Sequence, residues 1–559
     1  MGLIKRAHFL MLNLPPAPDP AYVKPMTHAP VTNGADQNQT PPTIALLGGG
    51  QCGTIALHDI LSHFEDLKAS DPTLPTPKII WVDAKGFFGR CAAFDPDQPD
   101  CLLTSGPAYA LKPSLCAPDA FTQFYMAHHP SADMNQCVPR RIYGEFMRDL
   151  TTDTMNRAQA QGITIETITA RIDAVTRDDR GVLTLYTDSG DTIRTHHLIA
   201  SPGPSRNTAM DHLHGAPGFI ANPSDIASVR ASGLDFNDPK STILCFGPGN
   251  SFFDGINLLE KELGYRGKYI LVNASNRTPW SVGPDLDEHD GLPYHFTHFA
   301  TQSMPARVSF ATLKAALDRD LEDLKDPEKN PRGFGPEYPI YYIAAYAMQY
   351  FKSWADHHKP DALTRGQAEL AFQQLQDDAT MQLKCISAPE DIALYQDLRA
   401  QGRLFESHGR IVMDQVASAA RGFSVPVRSN LDQGLYNVRV AGFMNCKPYH
   451  SNWDTPVRDE PGNLLRQMER DELIRRAPTN GHGHGERYDT AHARDHGISV
   501  VGSSMSPIWG VHLSAAQVNI AARNALNGAI RAAQREQNPQ GPSSGPPPDF
   551  GAGFGSMAY

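Results

Sequence analysis

Two glycine-rich turns hold the residues of this chain whose types and spacing could do chemistry. In the first, residues 43–57 read TIALLGGGQCGTIAL, with Gly48, Gly50 and Gly53 between two apolar segments. In a strand–turn–helix unit these glycines allow a tight turn, the approach of phosphates to the backbone, and close packing of helix on strand. The amides at the helix N-terminus, where Gln51 lies, then face an anion. The spacing therefore predicts that this turn binds the pyrophosphate of a dinucleotide.

An acidic residue at the end of the next strand supports this interpretation. The segment PKIIWVDAKGFFG predicts a strand from Lys78 to Val82 that is followed directly by Asp83. A carboxylate in this position binds a ribose hydroxyl of the dinucleotide. The interval from the turn to Asp83 is longer than the usual ~20 residues. The excess is the polar, proline-rich stretch ASDPTLPTP, which can loop out without disturbing the site.

A second turn of the same kind follows in residues 241–263, STILCFGPGNSFFDGINLLEKEL. The strand after it, KYILVN, has no acidic residue at its end, and Arg277 stands close behind. An acidic residue there would repel a 2′-phosphate, whereas an arginine accommodates one. NADPH is therefore the expected ligand, and an ordinary surface arginine is the alternative interpretation of Arg277. The turn itself consists of Gly247, Gly249, Asn250 and Ser251.

Composition bounds what surrounds the two turns. With 559 residues, 40% of them apolar and 20% charged, the chain is expected to fold as two or three globular domains. A net charge of −11 disfavours nucleic acid and anionic membranes as partners. No apolar run approaches the ~20 residues that span a bilayer. The eight cysteines form no Cys-x-x-Cys pair, which favours reduced thiols in a cytoplasmic protein.

Two dinucleotide sites in one chain indicate a flavin system with one tightly held FAD and one exchangeable NADPH. The expected fold is α/β, with two Rossmann-like dinucleotide-binding domains and a mainly helical insertion of amphipathic segments. The predicted organisation is a disordered tail at 1–41, the first part of the FAD-binding domain at 42–240, the NADPH-binding domain at 241–430 with its helical insertion at 284–429, the second part of the FAD-binding domain at 431–535, and a disordered tail at 536–559.

Two further clusters invite a functional interpretation. The aromatic helix PIYYIAAYAMQYFKSWADHH could form a substrate box, but core packing is the commoner role of such a helix. The stretch NGHGHGERYDTAHARDHG holds His482, His484, His492 and His496. Its glycines and polar residues favour a surface loop, so no metal site is expected.

Several motifs resemble known flavoproteins. The pattern GPGNS..D, from Gly247 to Asp254, resembles the NADPH-site motif of class B flavin-dependent monooxygenases, the group with flavin-containing and N-hydroxylating monooxygenases. LLGGGQCGTIAL, VPRRIYGEFMRDL and LIASPGPS resemble a bacterial branch of FAD/NAD(P)-binding proteins. The C-terminal resemblance runs from VAGFMNC to ISVVGSSMSPIWGVHLSAAQVNIAARNAL. In all, the resemblance covers residues 42–531.

The resemblance implies roles for particular residues. Gly502 and the turn after it are expected to contact FAD, and Arg140 or Arg141 to help hold it. Asp254 belongs to the NADPH motif. The chain also departs from the family pattern, with Ser201-Pro202-Gly203 for Ala-Thr-Gly, Lys447-Pro448 for Thr-Gly, and Gly502-Ser503 for Gly-Asp. These departures concern the subfamily and therefore the substrate.

The function implied is that of an FAD- and NADPH-dependent monooxygenase. It would transfer one oxygen atom from a C4a-(hydro)peroxyflavin to a soft nucleophile of a small molecule, with an amine nitrogen favoured. The expected partners are that substrate and O2, and the sequence predicts neither catalytic residues nor an oligomeric state. Two alternatives are an NADPH-dependent flavin oxidase or dehydrogenase without oxygen transfer, and a non-catalytic FAD-binding regulatory protein. A flavin disulfide reductase would need a cysteine pair near FAD, and the sequence spacing shows none.

Overall fold

The computed structural model describes residues 41–274, 280–281, 296–330, 337–383, 386–447, 449–450, 460–476, 488–502 and 511–537. Its strands are β1 (Thr43–Leu47), β2 (Lys78–Asp83), β3 (Leu103–Pro107), β4 (Cys137–Pro139), β5 (Thr164–Thr169), β6 (Ile172–Arg177), β7 (Leu183–Thr187), β8 (Thr192–Thr195), β9 (His197–Ala200), β10 (Ser205–Arg206), β11 (Phe219–Ile220), β12 (Thr242–Phe246), β13 (Lys268–Asn273), β14 (Trp280–Ser281), β15 (Ile386–Ser387), β16 (Leu404–Ile411), β17 (Ala417–Ala419), β18 (Gly422–Ser429), β19 (Leu435–Val440), β20 (Gly442–Met444), β21 (Tyr449–His450) and β22 (Ile498–Val500).

The helices alternate with these strands in most of the chain. They are α1 (Gln51–Ser70), α2 (Ala120–His128), α3 (Arg140–Ala160), α4 (Ile226–Arg230), α5 (Asn250–Asn257), α6 (Phe310–Asp323), α7 (Glu337–His358), α8 (Ala362–Leu383), α9 (Pro389–Ala400), α10 (Glu460–Arg470), α11 (Thr490–Asp495) and α12 (Val511–Gln537).

A five-stranded parallel sheet carries the first glycine turn. Its order is β22-β9-β1-β2-β5. Strand β1 therefore lies between β2, which follows helix α1, and β9, which comes later in the chain. The five residues of β1 are all buried, as expected for a central parallel strand with both faces covered. Helices α1, α3 and α12 supply one core, and the antiparallel sheet β6-β7-β8 with α10 contributes to the other.

A second parallel sheet carries the second turn and repeats this plan. Its parallel part has the order β11-β20-β12-β13-β16, and the antiparallel strands β18, β17 and β19 extend it. Strand β12 again lies between the strand after its helix and a later strand, here β20. The predicted α/β fold with two Rossmann-like units is thus confirmed by two parallel sheets built on the same strand order.

Helices α6, α7 and α8 come after β13 and before β16 along the chain, and they pack on one another. Their core includes the fully buried side chains of Phe299, Trp354 and Phe372. The aromatic helix therefore contributes packing groups to this core. The helices extend only to Ala400, and residues 404–429 form strands of the second sheet.

The second sheet also extends past the predicted domain boundary at residue 430. Strands β19 and β20 pair with β18 and β12, so residues 435–444 lie in the second unit. Residue 442 of β20 must be small, because a Cβ added at Gly442 would lie only 3.0 Å from the side chain of Ile243 on β12. Within the described ranges, no helix has both the length and the apolar character needed to cross a membrane.

Candidate dinucleotide-binding sites

The first turn can be built only from glycine at residue 48. Gly48 has φ +103°, a conformation that L side chains rarely adopt. Its N–H donates to the carbonyl of Val82 at 2.8 Å, which ties the turn to β2. A Cβ at residue 48 would lie 2.3 Å from the carbonyl oxygen of Ser201, too close for any side chain. The turn is therefore held from both neighbouring strands.

The other glycines of the turn have separate tasks. A Cβ on Gly53 would lie 2.0 Å from the carbonyl oxygen of Gly48, so α1 packs directly on the turn, as the motif predicts. A Cβ on Gly49 would lie 2.4 Å from the carbonyl oxygen of Phe87. Gly50 precedes α1 and supplies no side-chain cap. Glycines thus form a bare backbone surface at the helix N-terminus, which fits a pyrophosphate.

Asp83 lies at the end of β2, where the sequence predicts it. One carboxylate oxygen accepts the N–H of Gly49 at 2.8 Å, and the other accepts those of Lys85 and Phe87 at 2.9 and 3.0 Å. These bonds hold the carboxylate beside the turn. Its contact with a ribose stays a prediction.

A cleft opens beside this carboxylate at the ends of β1, β2 and β5. Sequence reasoning misses most of its wall, because the chain after β5 carries no glycine or acidic motif. The signal available was topological, since the strand next to β2 must end at the same edge of the sheet. The lining residues are Leu47, Gly48, Asp83, Ala84, Ala170, Arg171, Ile172, Pro202 and Leu464.

The second turn repeats the backbone of the first in a more open setting. Gly247 has φ +76°, and its N–H donates to the carbonyl of Val272 at 2.9 Å. No described atom lies within 4 Å of a Cβ added at this residue. Gly249 precedes α5 without a side-chain cap. Asn250 donates to the hydroxyl of Ser105 at 3.0 Å.

Of the other residues predicted for the second site, Ser251 is described by the structure and Arg277 is not. Ser251, partly buried, is the second residue of α5. Strand β13 ends at the buried Asn273, so the structure agrees that no acidic residue stands there. Arg277 lies outside the described residues, and its contact with a 2′-phosphate stays a prediction.

Two residues that the sequence assigns to different cofactors form an ion pair with each other. The guanidinium of Arg140, at the start of α3, forms a bidentate ion pair with Asp254 on α5, both bonds being 2.8 Å. Ser224 donates to the same carboxylate at 2.6 Å, and Arg140 also donates to the carbonyl of Leu103. The two side chains are only 12% and 7% exposed. This pair joins the first unit to the second, and direct cofactor contacts of either residue stay predictions.

Arg141 has a different environment from its neighbour. It pairs with Asp100 and, at 2.8 Å, with Glu145 one helical turn along α3. One third of its side chain is exposed. Its predicted contact with FAD is untested by these bonds.

Gly502 follows β22, the last described strand of the first sheet, and lies close to the first turn. It has φ +78°, and an added Cβ would lie 2.9 Å from the sulfur of Cys52. This places Gly502 beside the turn that the FAD site is predicted to use. The Ser503 that follows lies outside the described residues.

Two cysteines that are distant in sequence, Cys52 and Cys91, both lie at the first turn. A Cβ on Gly50 would lie 3.2 Å from the Cβ of Cys91, and burial raises the pKa of the Cys91 thiol. Burial raises the pKa of Cys52 to about 12, and the nearby Cys91 adds to the shift. Residues distant in sequence meet here, so a search for short cysteine spacings cannot find them.

Two further cysteines lie near the second turn. Cys245 is on β12, opposite Met444 of the neighbouring strand β20, and the thiol of Cys446 donates to the carbonyl of Met444 at 3.6 Å. Cys245 is fully buried and Cys446 partly so. All described cysteines are free thiols.

The histidine cluster contributes backbone contacts in its described part. His492 hydrogen bonds to the carbonyl of Glu472 at 2.8 Å, and His496 to that of His492 at 2.9 Å. His482 and His484 lie outside the described residues. Where side chains are described, no group of three His, Cys, Asp or Glu residues could hold a metal ion.

The fold and its two turns define a protein with two dinucleotide-binding units, and comparison with known families agrees for the first. Residues 45–204 match the family model described as FAD-NAD(P)-binding. This match confirms the predicted resemblance to FAD/NAD(P)-binding proteins and the predicted class of cofactors. A sequence search of curated proteins found no match.

Solved structures similar to this chain include two monooxygenases and one N-hydroxylase. They are L-lysine 6-monooxygenase from Pseudomonas syringae (13% identity, 88% of this chain and 100% of that one, TM-score 0.47), ornithine N-hydroxylase from Kutzneria sp. 744 (13%, 88% and 99%, 0.47), and cadaverine monooxygenase from Erwinia amylovora (12%, 90% and 95%, 0.44). At these identities and scores, the likeness does not assign an activity or a substrate to this chain.

Proposed function

We propose that this chain is an FAD- and NADPH-dependent monooxygenase. The observation that carries the proposal is the pair of glycine turns, each at the point where the strand order of a parallel sheet reverses. Dinucleotides bind in the crevice outside the carboxyl ends of such strands. The buried Arg140–Asp254 pair joins the two units, so the two nucleotides would be held by one connected scaffold.

The first turn suits a permanently bound FAD. Gly48, Gly50 and Gly53 would leave the backbone open to the pyrophosphate, Gln51 would offer its N–H at the helix N-terminus, and Asp83 would bind the ribose. FAD, when bound, supplies a hydride acceptor and a centre that reacts with O2. The chain's own contribution is to hold the nucleotide, orient it and exclude water.

The second turn suits NADPH. Gly247, Gly249, Asn250 and Ser251 would hold its pyrophosphate, and Arg277 would pair with the 2′-phosphate. The substrate class we propose is a small molecule with a soft nucleophile, an amine nitrogen first, since the sequence motifs resemble N-hydroxylating enzymes. This substrate assignment rests on family analogy. We assign no catalytic side chain.

The spectrum of purified protein with NADPH tests the proposal against its alternatives. A monooxygenase is yellow, bleaches on NADPH without O2, and on adding O2 and an amine converts the amine to an oxygenated product. An oxidase or dehydrogenase bleaches but forms no such product with amino acids or polyamines. A regulatory protein that binds FAD does not bleach with NADPH.

Two matched substitutions test the order of the sites. Gly50→Val adds bulk where a Cβ would already lie 3.2 Å from Cys91, and the purified protein should be colourless. Gly249→Val should stay yellow but fail to bleach with NADPH. Gly366→Val is the control, because Gly366 is exposed and no described atom lies within 4 Å of its added Cβ. Loss of FAD in a folded Gly249→Val protein would mean that the order is reversed.

A further inference from the structure

Two arginines stand opposite each other where the parallel part of the second sheet meets its antiparallel extension. Arg410, near the end of β16, is paired in antiparallel register with Arg428, near the end of β18. Both side chains are exposed. Directly opposed residues of an antiparallel pair share one face of the sheet, and like charges in these positions destabilise the pairing. An anion between the two guanidinium groups would remove this repulsion.

The described residues supply no carboxylate to either arginine. Arg428 donates to the carbonyl of Gln433 at 3.3 Å, and neither guanidinium forms an ion pair within the described ranges. Arg403, just before β16, differs in this respect, because it forms a bidentate pair with Glu260 in which both bonds are 2.7 Å. The positive charges of Arg410 and Arg428 are therefore available to a ligand.

The corresponding arginine of the first unit shows which part of the fold this position faces. Asp83, at the end of β2, is in register with Thr169 of β5. Arg171 follows two residues later, and both Asp83 and Arg171 line the cleft at the carboxyl ends of the strands. The guanidinium of Arg171 pairs with Asp173 at 2.7 Å. The cleft of the first unit thus has an arginine whose charge is balanced by a carboxylate.

The second unit keeps the arginine and lacks both carboxylates. Asn273, at the end of β13, is in register with His408 of β16, and Arg410 again follows two residues later. Asn273 replaces Asp83 of the first unit, and Val412 stands in the position of Asp173. Because the two units share their strand order, Arg410 lies at the edge of the sheet where a dinucleotide binds. This edge suits a ligand that has an additional negative charge.

Asn430 fastens the second arginine to the same edge. Its backbone N–H donates to the carbonyl of His408 at 3.0 Å, and its side-chain amide donates to the carbonyl of Ala274 at 2.9 Å. Ala274 directly follows Asn273, the last residue of β13. The end of the strand after the glycine turn is where the ribose of a dinucleotide binds. Arg428, two residues before Asn430, is thus held close to the expected ribose.

We propose that Arg410 and Arg428 bind the 2′-phosphate of NADPH at the second turn. This inference rests on the proposed function and deepens it, because it assigns the preference for NADPH over NADH to β16 and β18 in addition to Arg277. A phosphate monoester carries a charge of about −1.5 to −2 at pH 7, and arginine offers it a planar fork of N–H donors. Two charge-assisted contacts would replace the repulsion between the guanidinium groups.

Calorimetric titration of the full-length, FAD-loaded protein with NADP+ and with NAD+ tests the assignment. The two nucleotides differ only in the 2′-phosphate, so the comparison isolates its contacts. Arg410→Ala and Arg428→Ala should each raise the Kd of NADP+ by about tenfold, the loss expected for one charge-assisted hydrogen bond. The Kd of NAD+ should stay unchanged in both variants.

Arg439→Ala is the matched control. Arg439 is an exposed arginine of β19 that pairs with Ser424 of β18, four residues before Arg428 and on the same face of the sheet. Four residues of a strand span about 13 Å, so this variant should leave the Kd of both nucleotides unchanged. The Tm supplies a second measurement. Arg410→Ala and Arg428→Ala relieve a repulsion and should not lower the Tm, whereas loss of a structural arginine would.

Unchanged NADP+ affinity in either variant would overturn the inference, as would equal losses for NADP+ and NAD+. Failure of the proposed function has a different signature, because the unsubstituted protein would then bind NADP+ no more tightly than NAD+, or not at all. That outcome would overturn the inference as well. A preference for NADP+ that survives both substitutions would overturn the inference alone and leave the proposed function standing.

Discussion

The two glycine turns share a backbone plan but differ in how closely their neighbours enclose them. A Cβ at Gly48 would lie 2.3 Å from the carbonyl oxygen of Ser201, whereas one at Gly247 meets no described atom within 4 Å. The strand after the first helix ends in Asp83, and the corresponding strand of the second unit ends in Asn273. The first turn is thus packed against neighbouring backbone, whereas the described residues leave space beside Gly247 in the second turn.

The largest effect is expected where the two units are joined. Arg140→Ala leaves the carboxylate of Asp254 buried without its partner, which should cost about 3–5 kcal/mol of stability. Thermal unfolding followed by flavin fluorescence should show a large drop in Tm. If the units are energetically independent, the drop will be small and the comparison of two linked sites fails.

The adjacent arginine provides the control for this prediction. Arg141 is one third exposed and pairs with exposed or half-exposed carboxylates. Such pairs contribute about 0–1 kcal/mol, so Arg141→Ala should barely change the Tm. Equal losses from the two variants would argue against the importance of burial.

Substituting the first glycine of each turn tests the enclosure directly. Gly48→Ala should cost about 2–5 kcal/mol, because strain from positive φ and overpacking against Ser201 add together. Gly247→Ala meets only the strain, about 1–2 kcal/mol. The measurement is the Tm together with the FAD content of each purified variant. A larger loss for Gly247→Ala would reverse the comparison.

Cofactor preference at the second turn should change with Arg277. A charge-assisted contact with the 2′-phosphate contributes about 1.5–3 kcal/mol, or roughly ten- to hundredfold in affinity. Arg277→Ala should weaken NADPH by that factor and leave NADH nearly unchanged in anaerobic stopped-flow reduction of the flavin. Equal losses for both cofactors would assign Arg277 a structural role, and no loss would make it an ordinary surface residue.

The last prediction is a pH dependence of stability that comes from a buried histidine of the first unit. Burial, with Arg531 nearby, lowers the pKa of His197 from 6.5 to about 3. The folded unit therefore keeps this imidazole neutral while the unfolded chain takes up a proton, so stability is lost as pH falls from 6.5 toward 3. The slope from one such group is at most about 1.4 kcal/mol per pH unit.

Comparison of the Tm at pH 7.5 and 5 should show this dependence. The difference between the two Tm values should shrink in His197→Gln, which removes the titrating group. An unchanged difference would exclude His197 as its source.

Local sequence was sufficient to predict both turns and the helices of the insertion. Gly48 and Gly53 reveal their roles through spacing, because the turn needs positive φ at Gly48 and an added Cβ at Gly53 would lie 2.0 Å from the carbonyl oxygen of Gly48. Asp83 was predictable for the same reason, since it ends the strand that follows the first helix. The extent of the second sheet was not predictable, because β20 pairs with β12 from nearly 200 residues away along the chain.

By itself the sequence determined two strand–turn–helix units, an acidic residue at the end of one following strand, and its absence from the other. These features depend on hydrogen bonds and steric limits within short segments, which residue type decides. Tertiary structure alone decided that Arg140 pairs with Asp254, that Cys91 lies against the first turn, and that β20 lies beside β12. Each of these contacts joins residues distant along the chain, so it depends on which strands become neighbours and on how closely the two units pack.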